Sequence, residues 1–399
     1  MSSGVTTSTP DLLSPAFYAD IDGMHRALTE LRADGPVWRD EANSLWAVLG
    51  HDEIIDVEAR ADVFCSGAGF RAGLMPAGSE QDMIALDDPA HAAQRRLVSR
   101  RFTPKAVRAH HASLDRLMDG LIDGFVDRGS VELIDELAAP LPSCATATLL
   151  GYPESDAGIM RSWSERLMRR DEMLNDPGVL AEFMGAVMEI AQSVGEIVPQ
   201  RRDDPRDDLL SVWSNAELDG CPVSPETIVQ EVGLFVSGGA ETTRTVISRG
   251  LVELARHPED WEAMCDDPGL VPGAVEELIR WVTPLNNFFR TATRDDEIAG
   301  RAVAAGDRVI LMYPSANRDE RVFDDPFTFD IRRNPNPHVS FGFGTHFCLG
   351  ASLARLQLRM LLEKLTSRIT SLEVLEPPDI EPNIFVGAVR SVRLGFDKR

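Results

Sequence analysis

The sequence predicts a mainly α-helical fold with small β-sheets, an α+β chain dominated by helix. Three observations predict it. A long amphipathic run begins at Ser224-Pro225-Glu226 and continues to His257-Pro258. A second begins at Cys348, where Leu349, Leu353, Leu356 and Met360 recur at helical spacing. Extended segments are short, at residues 44–50, 308–313 and 391–396. No Ser/Gly-rich linker, low-complexity tract or repeat divides the 399 residues, so residues 1–399 read as a single domain.

Asp88-Pro89 opens the first informative helix, with a capping acid and proline at the first position. It places His91 and Arg95 one turn apart on one face. The central helix opens on an N-cap serine, a first-turn proline and an acid. Unbroken, it would be roughly 50 Å long. Its middle is weak: Gly238-Gly239 costs about 2 kcal/mol relative to alanine. Glu241, Thr242 and Thr243 follow at once, with side chains that compete for backbone hydrogen bonds, so the helix is expected either to kink around a solvated polar patch or to widen locally for a ligand or water chain. Glu277 and Arg280 stand at i and i+3 on the next helix, the spacing of an ordinary ion pair.

Residues 341–350 read F-G-F-G-T-H-F-C-L-G. One cysteine lies between glycines that let the backbone turn and approach a flat group closely. A helix is expected to start at Cys348, and a thiolate at a helix N-terminus is stabilised by the macrodipole and free N–H groups. Such a permanently charged sulfur suits an axial ligand of iron. A dinucleotide loop is excluded, because Phe347 stands where the third glycine of G-x-G-x-x-G would be.

The segment resembles the cysteine-ligand loop of the cytochromes P450, F-G-x-G-x-H-x-C-x-G, at every fixed position: Phe341, Gly342, Gly344, His346, Cys348 and Gly350. The resemblance covers essentially the whole chain, in the right motif order. It implies a P450 fold with haem b (iron protoporphyrin IX) between the long central helix and the cysteine-loop helix. It implies Cys348 as the iron ligand, and Phe341 and Gly350 as further parts of the haem-binding loop. His91, Arg95, Arg290 and His346 match its propionate contacts. Gly238-Gly239-Ala240-Glu241-Thr242 matches the family's small-Gly-x-acid-Thr pattern. Glu241 is then the acid that passes protons inward, and Thr242 steadies dioxygen and its waters. An Arg-Pro pair, typical of the peroxide-using branch, is absent from this segment. Pro326, Phe329, Asp330 and Arg333 fit P-x-x-F-D-x-x-R, which implies a buried structural triad of Glu277, Arg280 and Arg333.

The activity implied is a monooxygenase that inserts one oxygen atom of O2 into a C–H bond. Oxidative coupling or desaturation is the rival reaction, and a haem-binding sensor or carrier without turnover is the rival class. The family's substrate-contact regions correspond to about residues 66–86, 167–179, 235–239, 282–288 and 384–388. They carry Phe70, Leu74, Met75, Met83, Met173, Leu285, Phe288, Ile384, Phe385 and Val386. Such an apolar, Met-rich lining suits a sizeable apolar substrate. Arg71, Arg169, Arg170, Asn286 and Asn287 are candidates to fix a polar group on it. The texture of F-V-S-G-G-A-E-T-T-R and L-I-R-W-V-T-P resembles actinobacterial members that oxidise sterols, steroids and terpenoids. Tailoring of a macrolide, peptide or other secondary metabolite is the alternative.

The net charge of −24, from 40 basic and 64 acidic residues, opposes non-specific binding to nucleic acid or anionic membranes. The first residues hold no apolar stretch of membrane-spanning length, so neither anchor nor signal peptide is expected. Cys65, Cys144, Cys221, Cys265 and Cys348 are scattered without a C-x-x-C pair, which fits a reducing cytoplasm. No flavin or nicotinamide domain is present, so electrons are expected from a separate ferredoxin and its reductase. The basic stretch Arg95, Arg96, Arg100, Arg101, Lys105 and Arg108 stands out against the acidic whole. Arg100, Arg101 and Arg108 are its expected docking residues.

Overall fold

The computed structural model of the chain describes residues 10–73, 82–173 and 175–399. The helices that position the site are α1 (Ile21–Ala33), α2 (His51–Ala59), α3 (Ala90–Val98), α4 (Pro140–Leu150), α5 (Ala157–Met168), α6 (Pro177–Asp203), α7 (Pro225–Arg256), α8 (Val271–Val282) and α9 (Ala351–Arg368). The strands of the two larger sheets are β1 (Val37–Asp40), β2 (Leu45–Val48), β3 (Phe64–Cys65), β4 (Ser130–Glu132), β5 (Asn287–Ala292), β6 (Arg308–Met312), β7 (Glu373–Ile380) and β8 (Val389–Gly395).

The first sheet runs β1-β2-β6-β5-β3, antiparallel except where β6 lies parallel to β2 with Arg308 beside Leu45. The second runs β7-β8-β4 and is antiparallel throughout. Both are small because their strands are, and helix dominates the rest.

The long helix α7 is the spine. Ser224 caps it, its Oγ accepting from the Thr227 N–H at 3.0 Å. Its N-terminal half buries Ile228, Val232 and Val236 in one cluster with Trp163 of α5 and Ile190 of α6. Its C-terminal half buries Leu251 and Leu254 in another with Leu278 of α8 and Leu361 of α9. With apolar partners on both halves, α7 stays α-helical through Gly238-Gly239, and of the two expectations for this segment the local widening does not appear. The hydroxyls of Ser237, Thr242, Thr245 and Ser248 each bond to the carbonyl one turn back, so their competition is absorbed within the helix.

Helix α9 begins at Ala351, with Gly350 as its N-cap, and not at Cys348 as the periodicity suggests. The Cys348 N–H turns back to the Phe341 carbonyl at 2.8 Å, so the cysteine closes the loop and the helix starts after it. Similarly, Pro89 is the N-cap residue of α3 and not its first helical position, while Asp88 Oδ1 accepts from the Ala92 N–H at 3.1 Å.

Glu277 and Arg280, both fully buried, meet in a two-point contact of 2.8 and 2.7 Å. Arg333 Nε approaches Glu277 at 3.4 Å. The same carboxylate accepts from the Asp330 N–H at 2.9 Å and Asn336 Nδ2 at 3.0 Å. It thereby ties α8 to the segment that leads into the cysteine loop. Among the described residues, no helix is long and apolar enough to cross a membrane.

Candidate active site

The cysteine loop turns twice through left-handed backbone, at Gly342 (φ 68°) and Gly344 (φ 65°). Glycine is required at Gly344 on a second count, because a Cβ there would stand 2.7 Å from the Glu58 carbonyl oxygen of α2. Phe341 anchors the loop from below, with the Arg355 guanidinium 4.5 Å above its ring. Burial pushes the Cys348 thiol pKa up; the Gly350 and Ala351 N–H groups with Arg95 and Arg355 pull it down. The displaced helix start therefore still aims amides at the sulfur.

Basic groups converge beside this loop. His91, 2 % exposed, lies with its ring 4.3 Å from that of His346. Its Nδ1 meets Asp88 Oδ1 at 3.2 Å, and its buried Nε2 has no partner. Burial, with Arg290, His91 and Arg95 close by, drives the His346 pKa down to about 3. The His346 Nε2 meets Ser66 Oγ at 3.2 Å. Arg95 donates to the Phe347 carbonyl at 2.6 Å. Arg290, buried on β5, donates to the Phe289 carbonyl at 2.8 Å and approaches Glu58 Oε1 at 3.5 Å.

Sequence reading missed Glu58. It is buried and accepts from the Tyr313 hydroxyl at 2.8 Å. Burial raises its pKa against the pull of Arg290 and Tyr313. No motif surrounds it, so only packing reveals it.

Glu241 and Thr242 lie on α7 and make no hydrogen bond to the cysteine loop among the described residues. The Thr242 hydroxyl is held on the Gly238 carbonyl at 2.9 Å. A Cβ on Gly238 would meet nothing within 4 Å, whereas one on Gly239 would stand 2.9 Å from Thr146 Oγ1 of α4. The pair therefore divides its work: Gly239 lets two helices approach, and Gly238 leaves a face open. Glu241 is buried; its Oε2 takes Arg244 Nη1 at 3.2 Å and its Oε1 has no partner. Burial raises its pKa and Arg244 opposes. Arg244, also missed, binds Glu165 at 3.0 Å and the Val389 carbonyl at 2.9 Å. Its signal was present as the i, i+3 pair in E-T-T-R.

The expected apolar wall is partly assembled. Phe288 packs on Phe70 (6.2 Å) and Phe385 (5.2 Å), and Leu285 pairs with Val386 in an isolated bridge. Met83, Met173 and Ile384 are buried. Leu74 and Met75 lie outside the described residues. Each polar candidate has a partner within the protein. Arg71 binds Asp171 at 2.6 Å, and Arg169 binds Glu172 and Glu182, each at 3.0 Å. Arg170 donates to the Gly73 carbonyl at 3.2 Å. Asn286 and Asn287 donate to the Ile384 carbonyl at 3.2 and 2.9 Å. These contacts tie the segments of the wall together, while the buried Oδ1 of Asn287 has no partner.

Residues 269–389 match the family model described as Cytochrome P450. The chain is 38% identical over 400 residues to the steroid C26-monooxygenase of Mycolicibacterium smegmatis, covering 99% of this chain and 98% of that protein. The chain belongs to the cytochrome P450 family. It is 35% identical to the methyl-branched lipid omega-hydroxylase of Mycobacterium bovis, covering 96% of this chain and 93% of that one. Among solved structures, it superposes on the Mycobacterium marinum cytochrome P450 CYP268A2 in complex with pseudoionone. The TM-score is 0.90 at 34% identity, covering 99% and 100% of the two chains.

The protein is thus a P450 monooxygenase that carries haem b. The residues present fit the group. The orphaned Nε2 of His91 and the cluster of Arg95, Arg290 and His346 could hold its anionic propionates. Cys348, with amide hydrogens aimed at its sulfur, could hold the iron. Bound there, haem supplies the redox centre at which dioxygen is activated.

Proposed function

We propose that this P450 hydroxylates the terminal carbon of a methyl-branched alkyl chain on a sizeable apolar substrate, with a sterol or steroid side chain first and a terpenoid or branched lipid next. The observation that carries this reading is near full-length similarity to a steroid C26-monooxygenase and a methyl-branched lipid omega-hydroxylase. Both names place oxygen at the end of a branched chain. The aromatic wall of Phe70, Phe288 and Phe385 supports it, since it offers contact area with little hydrogen bonding.

In this reading Cys348 ligates iron. His91, Arg95, Arg290 and His346 neutralise the propionates, while Phe341 and Gly350 shape the loop. Glu241 carries protons inward from the Arg244–Glu165 pair, whose outer carboxylate is 41% exposed. Thr242 presents its hydroxyl to the open face beside Gly238 and orders water there. Electrons come from a ferredoxin and its reductase in the cytoplasm. The exposed side chains of Arg96, Arg100, Lys105 and Arg108 form the docking face; Arg101 is already paired with Asp207 at 2.5 Å. Reversing charge at Arg100 and Arg108 lowers ferredoxin-supported turnover and its salt dependence while leaving dithionite reduction intact; unchanged turnover refutes the docking face.

The test is a spin-state titration of the holoenzyme, followed by product analysis under labelled O2. Cholest-4-en-3-one and a methyl-branched fatty acid are expected to bind, with one labelled oxygen at a chain terminus. Testosterone, which lacks the side chain, is the control. Tight binding of testosterone with no response to either branched chain overturns the reading, and unlabelled product points to desaturation or coupling.

A further inference from the structure

A half-open cleft of about 860 Å³ lies between α1, the C-terminal half of α7 and the end of α8. No residue of the cysteine loop or of its basic cluster lines it. One side is apolar, with Val252, Trp281, Val282, Phe327 and Ile380, and its floor carries Arg249 and Arg318 with Glu253 beside them.

Arg249 has no hydrogen-bond or ion-pair partner among the described residues. Its guanidinium fills the space that a side chain at Gly387 would need, so the backbone opposite is shaped around it. Arg318 is 3% exposed and lies 4.5 Å over the Trp281 ring. It donates to the Trp281 carbonyl at 2.8 Å, but its Nε and Nη1 are buried without partners. His25 flanks both, edge-on to Phe327 at 6.1 Å. Burial and the charges of Arg318 and Arg249 hold its pKa well below the ordinary value, so it is neutral.

The acids nearby offset this charge without pairing with either guanidinium. Glu277 is committed to Arg280; Glu253 also lines the cleft, and its charge acts on Arg249 and Arg318 while its carboxylate contacts Arg256 at 3.3 Å and His257 at 3.5 Å. Asp20 caps α1 by accepting from the Gly23 N–H at 3.0 Å. Asp22 and Glu30 are exposed at the mouth. Guanidinium N–H groups held away from water without an acceptor are costly, and an anion bound between them supplies one.

We propose that this cleft is a second binding site, separate from the haem, for an amphiphilic carboxylate. The carboxylate contacts Arg249 in the field of Arg318, and the hydrocarbon lies along Trp281, Phe327 and Val252. The volume lies within the range of small-molecule sites. The exposed ring of Phe327, 47% accessible, is covered by the bound chain.

The test uses the holoenzyme with its haem capped by 4-phenylimidazole, so that binding in the substrate pocket is blocked. Calorimetry compares dodecanoate with dodecan-1-ol below their micellar range. Dodecanoate is expected to bind at one site, with the alcohol about tenfold weaker or worse for want of the charge-assisted contact. Arg249→Gln is expected to weaken dodecanoate by about the same factor, with an unchanged carbon monoxide spectrum. Thr29→Trp, which fills the cleft by a different route, is expected to abolish binding. The proposal is overturned if the capped enzyme does not bind dodecanoate, if the alcohol binds as well, or if neither substitution changes the affinity.

Discussion

Replacing Glu277 by Gln tests the buried triad with almost no change of shape. The carboxylate is fully buried and accepts from Arg280 twice, from the Asp330 N–H and from Asn336. A glutamine keeps one acceptor oxygen but turns an NH2 toward donors. Arg280, itself fully buried, would keep its charge without a counter-ion. Its remaining partners are the Asn317, Pro326 and Thr328 carbonyls, which are dipoles and not charges. Breaking a buried ion pair from one side costs about 3–5 kcal/mol. At the usual unfolding entropy per residue, a chain of 399 residues loses about 4–6 °C of melting temperature for that cost. The surface pair Arg359–Glu363 is the reference: its atoms are 3.6 Å apart and both side chains are 45% exposed. Removing its charge by Glu363→Gln should cost at most about 0.5 kcal/mol. Thermal melts of both holoproteins, read by far-ultraviolet dichroism and the Soret band together, make the comparison. A Glu277→Gln melt within about 1 °C of the Glu363→Gln melt would show that the triad is not structural.

Cys348→Ser is expected to abolish the red-shifted carbon monoxide band of the reduced protein; retention of that band would place the ligand elsewhere. Thr242→Ala removes the hydroxyl held on Gly238, and is expected to uncouple NADPH consumption from product with release of peroxide, whereas full coupling counts against the residue's role. Glu231 is buried on α7 and its carboxyl accepts from the Met83 N–H at 2.8 Å; burial, with Asp82 adding, raises its pKa from the ordinary 4.5 to about 8. Below the unfolded pKa both states hold the proton; as pH rises toward the folded pKa only the native state does, so stability drains away by about 3 kcal/mol at pH 7. Glu231→Gln should therefore melt little above the parent at pH 5 and several degrees above it at pH 8, and a pH-independent difference refutes the assignment.

The helices carrying local signals were the legible ones. Ser224-Pro225 and His257-Pro258 bracket α7 because capping and proline are decided within a few residues, and the helix spans Pro225–Arg256. The glycines of the cysteine loop were legible for the same reason, since left-handed backbone is a property of the residue itself. Contacts between distant segments were not. Periodicity could not see that the Cys348 N–H returns to Phe341, and so placed the start of α9 too early. The amides of Asn286 and Asn287 looked available to a substrate, yet their acceptors belong to a loop near residue 384. Arg71 and Asp171 are likewise paired across a hundred residues of chain. A polar side chain in an apolar stretch declares that it needs a partner, but not which one.

The proposed proton route turns on which member of the Glu165–Arg244–Glu241 network moves. Arg244 is bound to two carboxylates and to the Val389 carbonyl, so several contacts hold it in place. Glu241 has one contact, at 3.2 Å, and an oxygen with no partner. Glu241 is thus the less restrained partner. Burial raises its pKa, which lowers the cost of taking up a proton and releasing Arg244. The protonated side chain then leaves no buried charge behind when it turns toward the open face beside Gly238. Arg244 keeps Glu165 as its counter-ion through the exchange, so the interior never holds an unpaired guanidinium. Substituting Arg244 by Lys should therefore weaken the hold on Val389 more than it alters Glu241, whereas Glu241→Gln removes the only group in the network that both ionises and is free to turn.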